Sequence, residues 1–273
     1  MRIDTFRQLA RTSLEIDWII ENLISPGGWT FLVGETGSGK SMLSIQLCEA
    51  LQTGKEFLGF KTKKHNCLYV QADSGVVEWK KQIEMLAPES MAWTVYEVDR
   101  GWLDDPTTRE QIRSLVWGTY AVDDRPMSPH SVLKHVPFDF IIFDCLHAIT
   151  EGDINTKTCG SQVLKFLDTI VTNVTGTQED GTKQVQRVHY LLIHHPNATT
   201  RRGTTAGSGW KGFSDACATK FTLGGNLLVL EKSKITGKKE LLLERDKSTG
   251  AWRQQGSGLS TTEIDYNKIF NFS

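Results

Sequence analysis

The chain has 273 residues, enough for one large α/β domain with a substantial core. Thirty-one Lys and Arg stand against 32 Asp and Glu, and this net charge of −1 excludes any global attraction to a polyanion, so a nucleic-acid contact must be local. Cysteines 48, 67, 145, 159 and 217 are odd in number and form no CxxC pair, which argues against a disulfide framework or zinc ribbon and predicts a reducing, cytoplasmic setting.

No apolar run reaches the roughly 20 residues that span a bilayer, and MRIDTFRQLART has no signal-peptide core. No membrane partner is therefore expected. Residues 1–25 read as a lead-in to the first strand-like run, WTFLV (29–33). A glycine-rich loop follows, and then a helix with Leu43, Leu47 and Leu51 four apart. CLYVQ (67–71) predicts a second strand, and Val76, Trp79, Ile83 and Leu86 mark one face of the next helix. Residues 99–137 read as an insertion with a short helix at 107–117. DFIIF (139–143) is a third strand, and Val163, Phe166, Ile170 and Val174 share a helical face. VHYLLI (188–193) is a fourth strand, and these four runs are nearly continuous in apolar residues, as in a parallel sheet covered on both faces. Residues 196–212, rich in Gly and Thr, read as a mobile loop. NLLVL (226–230) and ELLLE (240–244), separated by EKSKITGKK, predict an antiparallel hairpin at the sheet edge. The whole is an α/β fold: one domain over 1–252 with a polar, then aromatic, tail over 253–273.

The chemistry starts at GETGSGKS (34–41), between a strand and a helix. Gly34, Gly37 and Gly39 let the backbone curl so that successive N–H groups face an anion, and the helix N-terminus adds positive potential. Gly34, Glu35, Thr36, Gly37, Ser38, Gly39, Lys40, Ser41 and Met42 are thus the predicted nucleotide cradle. Lys40 reaches the β- and γ-phosphates of ATP, and Ser41 ligates Mg²⁺. Asp144, ending FDFIIFD, is the second metal-side acid. Cys145 follows it, so a water-activating Glu at that position is excluded. Asp73, in CLYVQADSG, faces two readings: the residue that orients the attacking water, or a helix cap. His194 and His195 close the fourth strand, where a polar group senses the γ-phosphate; a zinc reading is set aside there because no Cys or acid lies at ligand spacing. Arg201 and Arg202, with Lys211, suit either a nucleic-acid backbone or a neighbouring subunit's nucleotide. Lys232 and Lys234 alternate on a strand, pointing to an adjacent site or guarding an exposed edge.

Together these residues resemble the RecA/DnaB superfamily, and within it the RepA-like hexameric helicases of AAA_25 type. The resemblance spans about Ile16 to Glu244. It rests on DWIIENLISPGGWTFLVGETGSGKS, ALQTGKEFLGFKTKKHNCLYVQADS, FIIFD, LLIHHPN, GSGWKGFSDACATKFTL and LVLEKSKITGKKELLLE. It implies a RecA-like P-loop core, ATP with Mg²⁺, and a homo-oligomer with ATP between protomers, as a hexameric ring or a filament. It passes the catalytic base to Asp73 (the family carries the longer Glu), the switch to His194 or His195, and a trans-acting finger to Arg201, Arg202 or Lys211. Single-stranded DNA is expected along 151–160 and 196–212, and the tail suits a protein partner. The implied activity is a DNA helicase or translocase; the alternatives are a recombinase filament and a KaiC-like assembly ATPase.

Overall fold

A computed structural model describes residues 16–26, 28–72, 75–86, 94–117, 138–177, 183–195 and 211–255. In chain order the elements are β1 (Trp29–Gly34), α1 (Lys40–Thr53), β2 (Cys67–Gln71), α2 (Val76–Leu86) and β3 (Thr94–Glu97). A 3₁₀ turn at Trp102–Asp104 leads into α3 (Pro106–Trp117). Then come β4 (Phe140–Asp144), α4 (Leu146–Ile149), α5 (Lys157–Val171), β5 (Thr172–Thr177), β6 (Lys183–Arg187) and β7 (His189–His194). The chain continues through α6 (Gly212–Ala216), β8 (Thr219–Gly224), β9 (Leu227–Ser233), β10 (Lys239–Arg245) and β11 (Trp252–Gln254).

Nine strands form one sheet in the order β11-β10-β9-β8-β1-β7-β4-β2-β3. Pairing from β3 through β8 is parallel, and β8 through β11 are antiparallel. The four apolar runs of the sequence are β1, β2, β4 and β7, side by side at the sheet's centre. Their side chains alternate between faces with period two. Leu32, Tyr69, Ile142 and Ile193 join one buried cluster with Leu43, Leu47, Leu51 and Trp79 of α1 and α2. Phe31, Val70, Phe143 and Leu192 join the other with Ile112 of α3 and Val163 and Ile170 of α5. Covering both faces is what makes the strands read as unbroken apolar runs.

Three elements differ from the sequence reading. Helix α5 stops at Val171, and Val174 lies in β5, which pairs antiparallel with β6. The β-branched run at Thr172, Val174, Thr175 and Thr177 favours extended backbone and ends the helical face. Strand β8, absent from the sequence reading, lies between β1 and β9. Its Lys220 pairs with Glu231 at 2.6 Å, and Thr222 Oγ1 donates to the same carboxylate at 2.7 Å. Those partners let a polar-looking segment sit inside the sheet. The predicted hairpin exists as β9–β10, but β11 pairs beyond it and takes the edge. Within 99–117, Trp102, Leu103, Ile112 and Val116 are buried in the second cluster. Among the described residues, no helix is long and apolar enough to cross a membrane.

Candidate nucleotide site

Parallel pairing brings the C-terminal ends of β1, β2, β4 and β7 to one edge, where loops leave the sheet and ligands bind in such folds. The glycine-rich loop leaves β1 there. Gly37 and Gly39 have φ of 79° and 89°, a left-handed backbone that side chains with a Cβ resist. A Cβ on Gly34 would lie 2.4 Å from the Leu223 carbonyl oxygen, so the loop's first position also requires glycine. Helix α1 begins without a side-chain cap and without an acid in its first turn, which leaves its N-terminal N–H groups directed at an anion.

Lys40 is buried, and its Nζ donates to the carbonyls of Gly34 (2.8 Å) and Glu35 (2.7 Å), with Ser38 Oγ at 3.4 Å. It also meets His195 Nδ1 at 3.0 Å. An ammonium only donates, so Nδ1 accepts in this contact. Ser41 Oγ donates to Asp144 Oδ2 at 2.9 Å, and the buried Tyr69 phenol donates to the same oxygen at 2.7 Å. Burial, and then the charge of Asp144, hold the Tyr69 phenol well above its ordinary pKa, so it remains a donor. A hydroxyl beside a carboxylate is a hard oxygen pair of the type that holds Mg²⁺ while the ion keeps several waters. The residues present therefore fit that ion.

The two histidines separate. His194 is buried and stacks on Phe31 across the neighbouring strand, with ring centroids 5.7 Å apart. His195, half-buried, contacts Lys40 and meets His147 edge-to-face at 5.2 Å. Glu35, Thr36 and Gly37 are exposed along the loop, whereas Met42 is buried with its Cε facing Gly250. Ala72 N–H bonds to the Asp144 carbonyl at 2.9 Å, tying the end of β2 to the end of β4. Asp73, Arg201 and Arg202 lie outside the described residues, as does 196–210. Lys211 is exposed at the start of α6. Within the chain, Lys232 Nζ donates to the carbonyls of Ser214 (2.9 Å) and Asp215 (2.7 Å) near the end of α6. Segment 151–160 carries Glu151 and Asp153 against Lys157 alone, and Asp104 bonds the Thr150 hydroxyl and the Glu151 N–H. That local charge repels phosphate rather than attracting it.

Two features escaped the sequence reading. Trp252 of β11 is buried under the loop, with Nε1 3.3 Å from the Gly39 carbonyl; its backbone N–H donates to the side-chain Oε1 of Gln46 in α1, and its carbonyl accepts from Gln46 Nε2. A Cβ on Gly39 would lie 2.8 Å from the indole, so this ring fixes the loop's last glycine from below. Second, Cys145, His147 and His195 present ligand atoms within 4.8 Å of one another. Their nearness removes the ground, the lack of a nearby Cys, on which the sequence reading set zinc aside at His195. Cys145 and His147 are some 50 residues away in sequence, but they leave β4 beside β7.

The AAA_25 family, described as an AAA domain, matches residues 2–200. Among solved structures, a KaiC-like protein from the hyperthermophilic archaeon Pyrococcus horikoshii is similar, with a TM-score of 0.55 and 12% identity over 87% of this chain and 94% of that chain. No curated protein matches the sequence.

Proposed function

Because the chain belongs to the AAA_25 family and has a RecA-like P-loop ATPase fold, we propose that it hydrolyses ATP to drive movement on single-stranded DNA as a ring-forming helicase or translocase. The phosphates lie against the N–H groups of residues 34–42, and Lys40 exchanges its contacts with the Gly34 and Glu35 carbonyls for phosphate oxygens. Ser41 and Asp144 are the residues that would hold Mg²⁺, which would supply neutralising positive charge beside the bound phosphates. Tyr69 is a positioning residue that fixes the Asp144 carboxylate. Asp73 orients the attacking water, and Arg201 or Arg202 reaches the nucleotide of the neighbouring protomer.

The observation that carries this reading is the 3.0 Å contact between Lys40 and His195. The residue that must move to bind phosphate touches the residue after which segment 196–212 begins. Nucleotide at the loop therefore changes the anchor of the segment bearing Arg201, Arg202 and Lys211. That segment is the proposed DNA contact, in preference to the acidic 151–160. Electron microscopy with a non-hydrolysable ATP analogue and single-stranded DNA is expected to show closed rings, with strand displacement on a forked duplex. Helical filaments without strand displacement favour a recombinase instead. Monomers that bind no DNA under these conditions contradict both and leave an assembly ATPase.

A further inference from the structure

Beside the Mg²⁺-type oxygen pair lies a group of different chemistry. Cys145 Sγ is 2.9 Å from His147 Nδ1 and 3.6 Å from its Nε2, and His195 brings a third ligand atom within 4.8 Å of both. Cys145 is buried and both imidazoles are half-buried. Tetrahedral coordination at ordinary zinc bond lengths sets ligand atoms about 3.5 Å apart, within reach by side-chain rotation. One thiolate and two imidazoles select Zn²⁺ or a similar borderline ion over Mg²⁺, and three protein ligands leave one position for water.

We propose that Cys145, His147 and His195 form a transition-metal site of the Zn²⁺ class, whose occupancy competes with the Lys40–His195 contact. The ion replaces the thiol proton of Cys145, which is released to solvent. His195 can donate a lone pair in two ways. Through Nδ1 it gives the ion the very atom that accepts from Lys40. Through Nε2 its proton moves to Nδ1, and a donor then faces a donor. Either way Lys40 leaves His195. Phosphate draws Lys40 away from the same ring, so metal and nucleotide favour one another; this coupling rests on the P-loop reading above, whereas the metal site does not.

The test is titration of the chelator-treated full chain with Co²⁺ in the absence of oxygen and nucleotide. One equivalent is expected to give a thiolate-to-cobalt charge-transfer absorption, displaced by equimolar Zn²⁺ and unaffected by excess Mg²⁺. Cys145→Ser is expected to abolish the band, and His147→Ala to weaken binding on the order of a hundredfold, with folding checked by circular dichroism. If Cys145→Ser does not fold, His147→Ala decides alone. Lys40→Met is expected to tighten Co²⁺ binding about tenfold by removing the competitor. A missing band, or one that survives in the folded variants, overturns the site. A normal band with unchanged affinity in Lys40→Met overturns the competition. Loss of fluorescent-nucleotide binding by the wild-type chain, with the cobalt band intact, removes the P-loop reading and leaves the metal site standing.

Discussion

At the scale of single residues, the site depends on buried polar atoms held by named partners. Tyr69 gives Asp144 Oδ2 a hydrogen bond that Ser41 alone does not replace. Tyr69→Phe keeps the ring's packing against Trp79 but frees the carboxylate to rotate. Positioning partners of this type change metal affinity about 10–100-fold, so the Mg²⁺ concentration for half-maximal ATPase is expected to rise by roughly that factor in Tyr69→Phe. An unchanged Mg²⁺ requirement removes the positioning role. His189 sets a pH dependence elsewhere. Burial, and secondarily the neighbouring His65, push its imidazole from 6.5 down to about 3, and its Nε2 faces the Thr30 hydroxyl at 2.9 Å. The unfolded chain takes up a proton near pH 6.5 and the folded chain does not until about 3. His189 therefore contributes its full stability above 6.5 and loses it as pH falls through that window, at up to about 1.4 kcal/mol per pH unit. Urea unfolding of His189→Gln from pH 7 to 4 is expected to show a correspondingly shallower loss. An identical pH slope in the two proteins contradicts this account.

At the scale of elements, the phosphate loop is shaped from two sides. Gly34 is pinned against the Leu223 carbonyl of β8, and Gly39 against Trp252 of β11. Both strands come late in the chain, β8 parallel beside β1 and β11 at the sheet's edge, so late elements buttress the site at its centre. Trp252→Ala is expected to destabilise the fold by about 3–5 kcal/mol and to weaken nucleotide binding as well. Denaturant unfolding combined with fluorescent-nucleotide titration checks this, and a purely structural loss with unaltered affinity contradicts the buttress. The same elements show why legibility in the sequence was uneven. Strands β1, β2, β4 and β7 were legible because burial on both faces leaves unbroken apolar runs. Strand β8 was not, because Lys220 and Thr222 look like surface residues until Glu231 is placed beside them. The overrun to Val174 came from extending an apolar period past a β-branched stretch that local backbone preference ends.

At the scale of the whole molecule, topology does what spacing cannot. The loop motif, Ser41 and Asp144 were legible because a strand, a loop and a helix place them locally. The Cys145–His147–His195 cluster was not, since it exists only because β4 and β7 are neighbours. Of the histidine pair, the sequence left both members open, and the structure brings His195 against Lys40 while His194 packs on Phe31. In the proposed function, the glycine-rich loop is linked through Lys40 and His195 to the segment that follows β7 in the sequence. The central claim is that ATP turnover and single-stranded DNA are coupled through this link. The direct measurement is steady-state ATP hydrolysis by the full chain with Mg²⁺, with and without single-stranded DNA. The account predicts hydrolysis that DNA accelerates at least severalfold, with the acceleration declining as salt rises; hydrolysis that DNA leaves unchanged at low salt would contradict it.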